Sequence, residues 1–333
     1  MNPLSRELQL LAWLRHACGL HQFTLTTASA DASFRRYFRV HQPGQASRIV
    51  MDAPPDKEDC RPFVDCAARL HAAGVHVPRI MAQDLAQGFL LLEDLGDRLY
   101  LHELTTENAD TLYGAACRAL IRMQSADVTA GLAQYDAALL RQELQLFEDW
   151  FLHAYLRLTL TPAEQTMLHT CFTALVEQAV QQPQVLVHRD FHARNLLVCA
   201  TDSPGIIDFQ DAVLGPVTYD LVSLWRDSYI AWSPERVDTW LVDYTEQAIA
   251  QGILTAEQGV QMPRWFDWMG VQRQLKIAGI FARLHLRDGK SGYLADIPQT
   301  LAYIALAAER QPELQPLSDF IQRRCQSSPE RMQ

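Results

Sequence analysis

Apolar and polar positions alternate along the first third of the chain in short blocks of two kinds. Residues 5–18 carry Leu8, Leu11 and Leu14 at helical spacing, with Ser5 placed to cap the first turn, and predict a helix. Phe23 to Thr27, Arg36 to Val40 and Arg48 to Asp52 read as strands, and Pro43-Gly44 marks the turn between the last two. Pro54-Pro55 breaks that pattern, Asp56 opens a helix running to about Ala73, and Gly88 to Leu92 predicts another strand. From Thr105 onward the periodicity turns helical, with Thr161-Pro162-Ala163-Glu164 as a helix start. Val185–Val187, Leu196–Val198 and Ile206-Ile207 interrupt it as short apolar strands, and helical spacing returns from Tyr219 to the end.

This order predicts an α+β, bilobal architecture. A strand-rich lobe spans residues 1–93, a hinge lies at 94–97, and a mainly helical lobe spans 98–333. The 333 residues, 48% hydrophobic and 20% charged, suffice for two well-buried cores. A formal charge of −10 lacks the basic footprint expected of a nucleic-acid binder. No apolar run reaches the length of a membrane span, and the N-terminus lacks a signal-peptide pattern. The seven cysteines are scattered without a Cys-x-x-Cys pair, which fits reduced thiols. The expectation is a cytoplasmic protein with no nucleic-acid, membrane or obligate protein partner.

The densest chemistry lies between the short strands. His188-Arg189-Asp190-Phe191-His192-Ala193-Arg194-Asn195 has the form His-x-Asp-x₄-Asn, and Asp208 follows at the end of an isoleucine pair. One carboxylate suits a substrate hydroxyl, while an amide oxygen and a second carboxylate suit a hard cation such as Mg²⁺. Phosphoryl transfer from ATP needs that set, because its catalysis is mostly positioning and neutralisation of phosphate charge.

With Gly215-Pro216 and Tyr219-Asp220-Leu221 downstream, these residues resemble the aminoglycoside phosphotransferase family of small-molecule kinases. The resemblance implies a protein-kinase-like fold using ATP and Mg²⁺, with Asp190 catalytic and Asn195 and Asp208 as metal ligands. It makes His188 and Asp220 structural anchors of the catalytic loop. It places ATP against Ser33, Phe34 and Arg35, against the backbone of Glu93, Asp94 and Leu95, and near His192. One departure stands out. The third strand, Arg48-Ile49-Val50-Met51-Asp52, lacks the interior lysine that kinases use on the phosphates. Lys57, Arg35 and Arg36 are candidates to supply that charge, and Glu58 and Glu7 to orient it.

For the acceptor, residues 264–290 concentrate Arg264, Arg273, Lys276, Arg283, Arg287 and Lys290. At roughly 100° per residue, Lys276, Arg283 and Arg287 fall on one side of a helix. Such a stripe either meets an anionic acceptor or forms ion pairs and a solvated face. Asp31 to Arg39, Met51 to Pro55, Ile207 to Ala212, Lys276 to Arg283 and Arg287 to Lys290 resemble the anomeric amino-sugar kinase branch of the family. That branch implies C1 phosphorylation of N-acetylmuramate and N-acetylglucosamine for cell-wall recycling. N-acetylmuramate carries a lactyl carboxylate, for which Arg273, Lys276 or Arg283 is a candidate partner, and Asp211 is a candidate either for sugar hydroxyls or for a loop cap. The alternatives are a kinase of another small alcohol or an aminoglycoside, or a nucleotide-binding scaffold without activity. Trp225, Tyr229 and Trp232 are candidates either for sugar stacking or for core packing.

Overall fold

The computed structural model describes residues 5–30 and 34–326. In chain order its first elements are α1 (Arg6–His16), β1 (Thr24–Ala30), β2 (Arg36–His41), β3 (Arg48–Asp52), α2 (Arg61–Ala72), β4 (Ile80–Asp84) and β5 (Phe89–Glu93). Then come α3 (Tyr100–Glu103), α4 (Ala109–Ser125), α5 (Ala137–Leu146), α6 (Pro162–Val180), β6 (Gln184–Val187), β7 (Leu196–Leu197), β8 (Gly205–Ile206) and β9 (Val213–Pro216). The last helices are α7 (Tyr219–Trp225), α8 (Pro234–Ala250), α9 (Ala256–Asp288), α10 (Ile297–Arg310) and α11 (Gln315–Ile321). Two compact units result: residues 1–99 with 196–211, and residues 100–195 with 212–333.

The first unit is built on a five-stranded antiparallel sheet of order β1-β2-β3-β5-β4. Its core joins Leu10, Trp13 and Leu14 of α1 to Val40, Val50, Phe89 and Leu91 of the sheet. The buried stripe of α1 is therefore not the Leu8–Leu11–Leu14 face. Leu8 is exposed, and Leu10, Trp13 and Leu14 at i, i+3 and i+4 bring a larger apolar surface to the sheet. Helix α2 begins later than the sequence predicts, at Arg61, where Asp59 accepts the Arg61 backbone N–H (2.9 Å) and Pro62 occupies the first turn. The sequence reading missed β4, whose Met81 and Gln83 lie exposed at the sheet edge. Gly88 precedes β5 at φ 70°, and a Cβ there would lie 1.8 Å from the Ala53 carbonyl oxygen, so no side chain fits.

In the second unit, α9 runs for 33 residues and packs along α5, α6, α7 and α10. Thr161 and Glu164 form a reciprocal capping box at the start of α6. Strands β6 and β9 pair antiparallel, setting the buried Val185–Val187 beneath the loop that follows. Gly279 lets α9 approach the end of α5, since a Cβ there would stand 2.4 Å from the Leu146 carbonyl oxygen. That crossing brings α9 side chains to those of α5 at the site. No helix among the described residues is long and apolar enough to cross a membrane.

Candidate active site

Strand β6 ends at Val187, and the chain turns through His188 and Arg189, the latter at φ 75°. A non-glycine residue in the left-handed region needs outside support. Asp220, buried on α7, supplies it: its two carboxylate oxygens accept the His188 backbone N–H at 2.7 Å and that of Arg189 at 3.0 Å. The His188 ring accepts the Asp190 N–H through Nδ1 (3.3 Å). Asn195 donates from Nδ2 to the Asp190 carbonyl (2.9 Å), and backbone bonds His192→Asp190 and Asn195→His192 close the turn. The backbone of residues 188–195 is thus held from three sides, and Asp190 projects from a fixed frame.

Beneath it lies a buried ionic network. Lys276 of α9 bonds the Glu143 carboxylate at 3.0 Å and the Tyr219 hydroxyl at 2.8 Å. Arg189 reaches the same carboxylate at 2.6 Å, and the Tyr135 hydroxyl donates to its second oxygen. Burial raises the cost of charge at Glu143, but Lys276 and Arg189 outweigh it and hold its pKa below the ordinary carboxylate range. Burial likewise opposes the Asp190 charge, and Lys276, His192, Arg273 and His188 together overcome it, so Asp190 is held ionised. Asp220 moves the other way. Burial, reinforced by the Asp190 charge, pushes its pKa up to about 7 despite the two backbone donors.

Arg273, 4% exposed, acts electrostatically on both Asp190 and Asp220, and its Nε and Nη1 find no hydrogen-bond partner. Arg283 is half-buried with Nε unpartnered, and burial and Arg287 lower its pKa. Arg287 pairs with Asp288, and Arg264 with Glu313. The basic stripe is therefore mixed: Lys276 belongs to the buried network, the outer cations to surface pairs. The His192 ring meets Tyr229 edge-on (centroids 5.9 Å), with its Nδ1 unpartnered. Trp232 and Trp225 sit in aromatic packing, Trp232 donating to the Tyr113 hydroxyl (3.0 Å).

The first unit holds the other sequence-predicted residues. Asp208 follows β8 at φ 64° and accepts from Gln210 Nε2 at 2.8 Å, and the same amide lies 3.4 Å from exposed Asp211. Phe209 packs on Phe63 of α2 (centroids 4.7 Å), which seats the turn. The candidates for the missing lysine separate clearly. Arg36 is spent on the buried Asp52, which Arg6 also bonds at 2.8 Å. Lys57 stays exposed beside Asp56 and 5.9 Å from the ring of the exposed Phe34. Arg35 is largely covered: its Nε lies 3.4 Å from Glu58 Oε2, and Tyr37, Glu58 and Asp208 all stabilise its charge against burial. Glu7 is exposed on α1.

In the 93–95 segment the acidic side chains are engaged elsewhere. Glu93 is held by Arg79 (2.9 Å), and Asp94 by Arg39 (2.7 Å) and Ser47 (2.6 Å). The Leu95 carbonyl accepts from the Cys199 thiol (3.7 Å). Ser33 lies outside the described residues.

A model of the phosphotransferase enzyme family matches residues 24–255. The chain belongs to the phosphotransferase enzyme family. Among relatives of this phosphotransferase, the N-acetylmuramate/N-acetylglucosamine kinase of Pseudomonas putida is 49% identical, covering 90% of this chain and 87% of its own. The kinase of the same name from Pseudomonas aeruginosa is 49% identical over 89% of this chain and 87% of its own. Among solved structures, ADP-bound aminoglycoside phosphotransferase APH(2'')-Ib shares the protein-kinase-like fold. Its TM-score is 0.59 at 16% identity, over 89% of this chain and 97% of that one.

Sequence reasoning missed several residues that shape the 188–195 loop of this phosphotransferase. Glu143 and Tyr135 carried no local motif; α5 and the segment before it deliver them to Arg189 and Lys276. Asp227 was also missed, although its buried carboxylate accepts the Ala193 and Tyr229 backbone N–H groups at 3.3 and 3.1 Å. The signal available for it was an acid close behind α7, in Arg226-Asp227-Ser228.

Proposed function

We propose that the protein is an ATP-dependent kinase that phosphorylates the anomeric C1 hydroxyl of N-acetylmuramate and N-acetylglucosamine. One observation carries the reading: an ionised Asp190 on a fixed loop, in a chain nearly half identical along nine-tenths of its length to kinases named for those two sugars.

Asp190 aligns the acceptor hydroxyl and takes its proton as the sugar oxygen bonds to the γ-phosphorus and the bond to the ADP oxygen breaks. The products are a sugar 1-phosphate and ADP, and the proton leaves Asp190 for solvent. A carboxylate held below the ordinary pKa range is a weak base, which suits an anomeric hydroxyl because that group is more acidic than an ordinary alcohol. In a loose transition state alignment contributes more than basicity.

Asn195 and Asp208 are the proposed Mg²⁺ ligands. Asn195 spends its amide nitrogen on the Asp190 carbonyl, and Asp208 is a carboxylate, so both fit a hard cation that prefers oxygen. When bound, Mg²⁺ neutralises phosphate charge. The proposed nucleotide contacts are Phe34, Arg35 and the backbone of Glu93, Asp94 and Leu95, with residues 94–97 as the hinge. Arg35 with Glu58 takes the place of the missing strand lysine, because Arg36 is committed to Asp52 and Lys57 to the surface.

The test is a coupled assay of ADP release over a panel of amino sugars, aminoglycosides and amino alcohols. Turnover of N-acetylmuramate and N-acetylglucosamine with acid-labile product is expected. Activity confined to an aminoglycoside, or none with any acceptor, would sink the reading.

A further inference from the structure

The two acceptors differ by one acid: N-acetylmuramate carries a lactyl carboxylate that N-acetylglucosamine lacks. The α9 cations are poorly placed to meet it. Arg273 is 4% exposed, and Lys276 is 8% exposed and already engaged by Glu143 and Tyr219 inside the network.

The catalytic turn carries another cation. Arg194 is exposed and leaves the same closed turn as Asp190 and Asn195. Its guanidinium carbon lies 4.5 Å from the Tyr229 ring centre and 5.9 Å from that of Tyr293, and both tyrosines stabilise its charge. The two rings are themselves fixed. Tyr293 stacks on Phe281 (centroids 5.3 Å, 27°), and Tyr229 packs on His192 and is bonded through its backbone to Asp227. Asp227 also bonds the Ala193 N–H, so one buried carboxylate sets both the residue before Arg194 and the ring beneath it.

A guanidinium laid on aromatic faces has already lost rotamer freedom, and it keeps donors at its edge for a planar anion. Other exposed arginines differ: Arg61, Arg79 and Arg287 each sit within 3.0 Å of a carboxylate. No ion pair to a carboxylate holds Arg194 among the described residues. Asp296 is the acid that feels it, from beyond ion-pair distance, and Asp227 stands behind. An exposed, pre-oriented arginine without a carboxylate partner, on the turn that carries Asp190, can receive a planar carboxylate.

We propose that Arg194, backed by Tyr229 and Tyr293, binds the lactyl carboxylate and sets the preference for N-acetylmuramate over N-acetylglucosamine. This rests on the reading that both amino sugars are acceptors.

The experiment measures kcat/KM for both sugars in wild type, Arg194→Met and Arg194→Lys, at low and high salt. Arg194→Met is expected to lower the N-acetylmuramate to N-acetylglucosamine ratio about tenfold, mainly through KM, as loss of one charge-assisted hydrogen bond predicts. Arg194→Lys recovers part of the ratio. Salt raises the wild-type KM for N-acetylmuramate and not that for N-acetylglucosamine. A ratio within twofold of wild type, or an equal loss for both sugars, overturns the proposal. So does a wild-type enzyme that accepts N-acetylglucosamine alone. Should Arg194→Met not fold, equal salt dependence of the two wild-type KM values overturns it by itself. Wild type inactive on both sugars defeats instead the functional reading beneath it.

Discussion

The acids of the first unit and the acid beneath the 188–195 loop of the second are paired in different ways. In the first, arginines are matched to acids in small local sets: Arg6 and Arg36 on Asp52, Arg39 on Asp94, Arg79 on Glu93 and Arg35 on Glu58. In the second, Glu143 alone serves Lys276, Arg189 and the Tyr135 hydroxyl, while Arg273 keeps unpartnered donors beside Asp190 and Asp220. Local pairs hold sheet and turns in place. A shared network with surplus positive charge favours an ionised carboxylate under burial, and that is what the role proposed for Asp190 requires.

The most severe way to break the contrast is to remove the group that the network serves. Asp190→Asn should fold like wild type and lose about 10³-fold or more in kcat, measured by ADP release, since alignment and proton acceptance vanish together. Next is the network's hub. Glu143→Gln leaves Lys276 and Arg189 buried without their acid, and urea unfolding should show a loss of about 3 kcal/mol or more. If stability were unchanged, the network would be incidental to the fold.

The first unit gives a sharper split. Arg35→Met should raise the KM for ATP about tenfold with little change in melting temperature. Arg36→Met should leave that KM close to wild type and cost stability, because Asp52 stays buried with Arg6 alone. The reverse pattern would move the phosphate grip to Arg36.

A smaller effect follows from Asp220, whose folded pKa is raised to about 7 from an ordinary value of 3.8. Between those values the folded chain holds a proton that the unfolded chain has released. Its contribution therefore favours folding below about pH 4 and is lost as pH rises toward about 7. The difference in unfolding free energy between wild type and Asp220→Asn should slope accordingly across that window, and a flat difference would deny that burial raises this carboxyl.

The sequence was most informative where function is written locally. Asp190, Asn195 and Asp208 sit in short turns bounded by apolar strands, and the Asp220 motif lies just downstream, so one pass of reading suffices. Strand β4 escaped because its alternate exposed positions and short length leave little apolar signal. The stripe on α1 was misjudged because leucine spacing alone does not reveal that Trp13 anchors the packed face. Glu143 and Lys276 could not be paired from sequence, since their contact depends on how closely α9 crosses α5 at Gly279. Arg194 was passed over for the reason that the motif was found: between Asp190 and Asn195 it looked like spacer.

The central claim is phosphoryl transfer to an anomeric oxygen. Phosphorus-31 NMR of the product formed from ATP and N-acetylmuramate tests it most directly. A phosphate signal coupled to the sugar's anomeric proton, accompanied by ADP, is the predicted result. Coupling to the C6 protons, or inorganic phosphate alone, would contradict it.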